Sequence, residues 1–164
     1  MRHIISVLLQ NEAGALARVS ALFSTRGYNI ESLSVAPTND PGISRMTLVT
    51  KGSDAVIEQI NQQLLKLVDV VRTADMTLDD HIERELLLIK TRVNPDVDCN
   101  LPDIIQAAGA RVLDDSPETY TLELTGSSQQ VRRFIKAVAD CAEIVSVVRS
   151  GAMALARGHN VLGS

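Results

Sequence analysis

The chain contains an internal repeat, and this repeat limits the folds that it can adopt. Residues 46–53 (MTLVTKGS), a helical stretch and residues 68–71 (VDVV) recur as 120–127 (YTLELTGS), a helical stretch and 142–145 (AEIV). The spacing between the two copies is constant. A recurring succession of strand, helix and strand is typical of one supersecondary unit used twice. The sequence therefore predicts two copies of one folding unit.

The apolar residues of each copy predict the same arrangement of elements. The helical stretches carry matching apolar stripes: Ile57, Ile60, Leu64 and Leu67 in the first copy, and Val131, Phe134, Val138 and Cys141 in the second. The preceding strands alternate in the same way, with Met46, Leu48 and Thr50 matching Tyr120, Leu122 and Leu124. Each copy reads as strand, helix, strand, strand, helix, strand. The predicted fold class is α+β, with two ferredoxin-like βαββαβ units that each have an antiparallel sheet.

The pattern also predicts the bounds of the domains. The first copy has strands near 2–10, 28–37, 44–51 and 68–76 and helices near 14–26 and 54–66. The second has strands near 83–93, 111–115, 119–126 and 143–149, with a short first helix within 101–108. We predict an N-terminal domain at 1–76, a linker at 77–82, a C-terminal domain at 83–150 and a tail at 151–164 that orders on binding. Units of this size bury only about 60% of their unfolded surface, so we also predict a homodimer.

Composition and the spacing of reactive residues exclude several classes of function. The net charge is −4 with no basic block, which argues against binding to nucleic acid or to an anionic membrane. No apolar run reaches membrane-spanning length, and the N-terminus does not read as a signal peptide. Cys99 and Cys141 have no CxxC spacing, which predicts lone thiols and a cytoplasmic location. The spacing of His3, His81 and His159 matches neither a catalytic nor a metal-ligand motif.

A polar turn at residues 11–16 is the first candidate binding site. It joins an apolar strand to a helix and contains Gly14. A helix start offers unpaired N–H groups and a positive dipole end, and glycine lets a carboxylate approach the main chain. Asn11 and Asn29 could then hold the ammonium and carboxylate of a free amino acid. In the competing interpretation, Asn11 is a cap or turn residue and Gly14 a packing glycine. Leu16, Val19 and Phe23 are predicted to form the inner stripe of the helix.

The turn at residues 37–45 is the second candidate site. It is longer than its counterpart at 114–118, which favours an arm that contacts a partner protein. Four of its residues are the predicted contacts: Asp40, Pro41, Ser44 and Arg45. The alternatives are an ordinary solvated hairpin tip and, for Arg45, an ion pair with Glu31 on the adjacent strand.

Ordered matches along most of the chain carry a family resemblance. They are residues 4–19 (IISVLLQNEAGALARV), 23–33 (FSTRGYNIESL), 35–38 (VAPT), 44–47 (SRMT), 67–70 (LVDV), 84–86 (REL), 149–151 (RSG) and 156–158 (ARG). Together they resemble the regulatory small subunits of acetolactate synthase, also called acetohydroxyacid synthase. The resemblance implies an ACT domain followed by an ACT-like domain.

The resemblance also implies a function. Such a subunit has no catalytic activity of its own and activates a large subunit that uses thiamine diphosphate, Mg²⁺ and FAD. That enzyme condenses pyruvate with pyruvate or 2-ketobutyrate at the start of branched-chain amino-acid synthesis. Valine would bind between two N-terminal domains and cause feedback inhibition, at the positions that match Asn11, Gly14, Ala15, Leu16, Asn29 and Ile30. No metal or cofactor is expected in this chain itself. The alternative is a freestanding amino-acid sensor that regulates another enzyme or regulator.

Overall fold

A computed structural model describes residues 1–93, 100–158 and 162 of the chain. The chain divides into two compact units, one formed by Met1–Ile82 together with the chain from Ala152 onward, the other by Glu83–Gly151. The sequence predicts a separate tail at 151–164, but the described residues from Ala152 belong to the first unit. Within the described residues, no helix has both the length and the apolar character needed to cross a membrane.

The first unit has the predicted βαββαβ order. Its elements are β1 (Arg2–Gln10), α1 (Ala15–Thr25), β2 (Ile30–Pro37), β3 (Ile43–Lys51), α2 (Asp54–Leu64) and β4 (Val70–Asp75). The strands form an antiparallel sheet in the order β2-β3-β1-β4, so β2 and β4 are its edges. Both helices pack against one face of this sheet.

The core of the first unit confirms the predicted stripe of α2 and corrects that of α1. Ile57, Ile60 and Leu64 are buried against the sheet. In α1 the inward residues are Ala15, Val19 and Phe23, whereas Leu16 is 38% exposed. A spacing of four residues keeps side chains on one face of a helix, so Ala15 takes the inward position and Leu16 lies beside it.

The second unit repeats this architecture. Its elements are β5 (His81–Val93), α3 (Leu101–Ala108), β6 (Arg111–Ser116), β7 (Thr119–Gly126), α4 (Ser128–Cys141) and β8 (Ala142–Arg149). The sheet order is β6-β7-β5-β8, and the stripe of Val131, Phe134 and Val138 is buried as predicted. A capping box between Ser127 and Gln130 begins α4. β5 begins at His81, inside the predicted linker 77–82.

The cysteines differ from the prediction. Cys141 is disulfide-bonded, so the expectation that it is a lone thiol is wrong. Spacing along a chain does not reveal which sulfur atoms a fold brings into bonding distance. Cys99 and His159 lie outside the described residues.

The last strand of the described chain packs on the helix-free face of the first sheet. The strand β9 (Met153–Ala156) pairs with β5, whose first two residues belong to the same unit. Ala152 and Ala154 are buried against a small cluster on this face: Ile4, Val49 and Met76. Small side chains let a strand lie close against a sheet, so the alanines of β9 explain why it seats here.

Replacing Ala154 with Asp should therefore destabilise the first unit. Ala154 is 6% exposed, and a carboxylate without a partner in this apolar contact should lower the free energy of unfolding by about 2 kcal/mol. Urea denaturation measures the change. Leu155→Asp is the matched control because Leu155 is 52% exposed. Equal stability of the two variants would show that β9 contributes nothing to the unit.

Candidate functional site

The turn at residues 11–16, which we name the effector turn, is open to solvent at the start of α1. Residues 11–14 are exposed, while Ala15 is buried as the first residue of the helix. Gly14 is the N-cap with φ +88°, and no side chain accepts from the first-turn N–H groups. Glycine adopts this left-handed conformation without the steric cost of a Cβ atom. The Ala15 N–H donates to the Glu12 carbonyl oxygen at 3.2 Å, and no side chain of the described residues caps the other N–H groups of the first turn.

An ion pair holds the effector turn from one side. The Arg18 guanidinium donates two hydrogen bonds to Asp69, from Nε to Oδ2 at 2.5 Å and from Nη2 to Oδ1 at 2.7 Å. The main-chain N–H of Gln10 donates to the Asp69 carbonyl oxygen at 2.8 Å. A Cβ atom on Gly14 would lie 2.9 Å from Arg18 Nη1, so the guanidinium rests against the turn. Neither residue of this pair is among the predicted site residues, although both lie in stretches that carry the family resemblance.

The ion pair makes part of the stability depend on pH. The hydrogen bonds from Arg18 lower the pKa of the Asp69 carboxyl below its ordinary value of 3.8. A lowered folded-state pKa contributes stability that is complete above the unfolded-state pKa and disappears as pH falls through the folded-state value. We expect the difference in Tm between the wild type and Asp69→Asn to be constant from about pH 8 to 5 and to shrink below about pH 4. Thermal melts across this range measure the difference in Tm. A difference that does not change with pH would contradict this assignment.

The hairpin turn between β2 and β3, residues 38–42, holds the effector turn from the other side. The Asn11 main-chain N–H donates to the Gly42 carbonyl oxygen at 2.8 Å, and Asn11 Nδ2 donates to the Pro41 carbonyl oxygen at 2.9 Å. Asp40 Oδ1 accepts a hydrogen bond from the Gly42 N–H at 2.8 Å, which fixes the turn locally. The two regions that the sequence suggests as separate sites are therefore bonded to each other through Asn11.

The predicted contact residues do not form one exposed set. Asp40 and Pro41 are exposed on the hairpin turn, but Ser44 is only 4% exposed and cannot reach a partner from this position. Alternation along β3 turns Ser44 toward the helices and Arg45 toward the opposite face. Arg45 Nη2 donates to the Leu162 carbonyl oxygen at 2.7 Å. The alternative ion pair of Arg45 with Glu31 is wrong, because Glu31 pairs with Lys51 at 2.5 Å.

The two asparagines of the predicted site lie at opposite ends of the sheet. Ile30, next to Asn29, pairs with Thr50, which in turn pairs with His3 near the start of β1. Asn11 instead follows the end of β1. The ordinary rise of a strand separates these levels by about 26 Å. Within one chain, Asn11 and Asn29 cannot bind the same amino acid.

Comparisons with known proteins assign the chain to a family. Residues 5–72 match the acetohydroxyacid synthase small subunit-like ACT domain, and residues 84–158 match the small subunit of acetolactate synthase. The chain is 46% identical over 162 residues to the acetolactate synthase isozyme 3 small subunit of Escherichia coli K12, covering 99% of each protein. The chain belongs to the regulatory small subunits of acetolactate synthase.

Other members of the small-subunit family support the same assignment. The acetolactate synthase small subunit of Aquifex aeolicus is 40% identical over 98% of this chain and 83% of that protein. The crystal structure of the small subunit from Thermotoga maritima superposes with a TM-score of 0.85 at 32% identity, covering 98% of this chain and 99% of that one. The family implies a large catalytic subunit as the partner of this small subunit.

Proposed function

We propose that this small subunit activates the large catalytic subunit and makes it sensitive to feedback inhibition by valine. The observation that carries the proposal is the effector turn, an uncapped helix start held open between an ion pair and a hairpin. The large subunit would supply the thiamine diphosphate, Mg²⁺ and FAD chemistry, and this chain would supply regulation alone. Both would work in the cytoplasm.

Valine would bind between two copies of the first unit. β2 is an edge strand, and an edge presents unpaired N–H and C=O groups to a further strand. In a two-fold pair, β2 would lie antiparallel to the partner's β2, so that the start of one strand faces the end of the other. Asn29 of the partner subunit would then approach Pro37 and the hairpin turn that Asn11 holds. The resemblance to the small subunits, one of which is 46% identical, implies a single site that contains both asparagines. In this arrangement two asparagines that are far apart within one chain come together between two chains.

The chemistry of the turn suits a free amino acid. The carboxylate of valine would accept hydrogen bonds from the N–H groups of Gly14 and Leu16, because the Ala15 N–H already donates to Glu12. The amides of Asn11 and the partner's Asn29 would hold its polar ends. Leu16, which is 38% exposed, and the partner's Ile30 would border its isopropyl group. One methylene in such a pocket changes binding by only about 1–3 kcal/mol, so leucine and isoleucine should bind less tightly without being excluded.

The hydrogen bonds of Asn11 give valine a route to the rest of the subunit. A ligand shifts a conformational equilibrium only by its differential affinity for the two states, commonly about 1–3 kcal/mol. Because Asn11 bonds both Pro41 and Gly42, a change at the effector turn would be passed directly to the hairpin turn.

The test is the rate of acetolactate formation from pyruvate by the cognate large subunit, with and without this chain and with added valine. We expect the small subunit to raise the rate and valine to reverse that increase. Calorimetry of the small subunit with valine separates binding from inhibition. Valine binding without any effect on the rate would favour the freestanding sensor, and activation without valine binding would remove valine as the effector.

A further inference from the structure

The helix-free face of the first sheet contains a cavity of about 810 Å³. Its floor is a row of residues that are neighbours across the strands: Ala36, Arg45, Leu8 and Arg72. The hairpin turn forms one wall, and Met153 to Leu155 of β9 form another. Every residue described as lining the cavity therefore belongs to the first unit.

The floor of the cavity carries positive charge. Arg45 and Arg72 flank Leu8, with Cα atoms about 10 Å apart at the ordinary spacing of strands. Neither arginine has a carboxylate partner among the described residues: Arg45 donates to the Leu162 carbonyl oxygen, and Arg72 makes no ion pair there. The acidic residue at the rim, Asp40, already accepts a hydrogen bond within its own turn. In a protein of net charge −4, two cations on either side of Leu8 that have no carboxylate partner among the described residues favour an acidic ligand.

The next row of the same face is polar. Ser6 and Ser34 both pair with Thr47, which places three hydroxyl side chains beside the arginine row. Ser6 is fully buried, and its Oγ has no hydrogen-bond partner among the described residues. Ser6 lies beneath the surface of the cavity, whereas Ser34 and Thr47 line it, so two hydroxyl side chains are available to a bound polar group.

The rim of the cavity is apolar and exposed. Val71 is 54% exposed on β4, and Met153 and Leu155 on β9 are 46% and 52% exposed. A small anion in the cavity would leave these side chains in water, whereas a polypeptide segment would cover them. Exposed apolar side chains around a charged centre are typical of a protein interface.

We propose that this cavity docks a segment of the large catalytic subunit that carries a carboxylate between apolar side chains. The carboxylate would bind Arg72 and Arg45, and the flanking apolar groups would cover Val71, Met153 and Leu155. This inference rests on the proposed function, because it names the surface through which activation occurs.

The same surface explains how an effector alters the partner. The hairpin turn that forms one wall of the cavity is bonded through Pro41 and Gly42 to Asn11 of the effector turn. Valine at the effector turn would therefore change the shape of the wall that the large subunit contacts. The hairpin turn is the element shared by the two sites.

Charge reversal at Arg72 tests the docking site. A fixed amount of large subunit is titrated with small subunit, and the rate of acetolactate formation gives the concentration for half-maximal activation. Arg72→Glu should raise that concentration at least tenfold, with full activation restored at saturation, and the wild-type value should rise with salt. Calorimetry should show unchanged binding of valine to the Arg72→Glu subunit.

Lys66→Glu is the matched control, because Lys66 is an exposed cation of the same unit that lies outside the cavity. It should change the half-maximal concentration less than twofold. Equal effects of the two charge reversals, or no effect of Arg72→Glu, would overturn the docking site. As long as the wild type activates the large subunit, that result leaves the proposed function standing. Failure of the wild type to activate would instead overturn the proposed function. Competition by inorganic phosphate without any shift for Arg72→Glu would identify a small-anion site and overturn the proposal.

Discussion

Replacing Gly14 with Asp is expected to abolish inhibition by valine while activation of the large subunit is retained. Gly14 has φ +88°, a conformation that costs other L-residues about 1–2 kcal/mol, with Asp among the more tolerant. The new Cβ would lie 2.9 Å from Arg18 Nη1, so the guanidinium must shift away from the turn. The added carboxylate would then occupy the position proposed for the carboxylate of valine.

The expected size of this effect follows from electrostatics. Two carboxylates about 4 Å apart repel by about 4 kcal/mol near a protein surface. Because about 1.4 kcal/mol is a factor of ten, the valine concentration for half-inhibition should rise on the order of 100-fold or more. Rate measurements across a valine titration give this value, and calorimetry gives the loss of binding directly.

Gly109→Asp is the matched control for the Gly14 variant. Gly109 also has positive φ, at +66°, and a Cβ atom there would meet nothing within 4 Å. It lies in the second unit, so the backbone strain is reproduced away from the effector turn. This control should respond to valine as the wild type does. Normal valine binding by the Gly14→Asp protein would show that the effector turn is not the pocket.

Mixing two inactive variants should restore valine binding. Asn11→Ala and Asn29→Ala each remove hydrogen bonds to a charged ligand, worth about 1.5–3 kcal/mol, so each variant alone should bind valine at least tenfold more weakly. If the site combines Asn11 of one chain with Asn29 of the other, a mixed dimer contains one intact site and one doubly altered site. Random exchange of chains should therefore return about a quarter of the high-affinity sites.

The mixing experiment separates a shared site from a site within one chain. Calorimetry after the two variants have been unfolded and refolded together counts the recovered sites. A site built within a single chain would show no recovery, because every chain still lacks one asparagine. Asn39→Ala is the control for general effects, because Asn39 is an exposed asparagine of the hairpin turn that is not assigned to the valine site. It should bind valine normally both alone and in mixtures.

The sequence predicts the fold well where the signal is periodic. The stripe Ile57, Ile60 and Leu64 and its counterpart Val131, Phe134 and Val138 are buried as predicted, because spacing alone decides which side of a helix they share. The first turn of α1 is harder to predict. An alanine and a leucine compete there for one inward position, and the direction in which the helix meets the sheet decides in favour of Ala15.

The contacts that shape the two candidate sites could not be predicted from the sequence, because they join residues that are distant along the chain. Arg18 and Asp69 are 51 positions apart, and Asn11 and Pro41 are 30 apart. No local pattern reveals such pairs, because loop closure depends on the register of the whole sheet. For the same reason, Ser44 fits an exposed turn in the sequence but lies buried under the helices in the fold.

The sequence by itself determined the two-unit organisation, the βαββαβ order of each unit and membership in the small-subunit family. These properties follow from local periodicity, from turn residues and from the order of matched stretches. Only the tertiary structure decided that Asn11 and Asn29 lie at opposite ends of one sheet, that β9 packs on part of the helix-free face, and that Arg45 and Arg72 flank Leu8. Those properties depend on how strands pair across the sheet, and pairing between distant segments is a collective outcome of packing that no single stretch of the chain specifies.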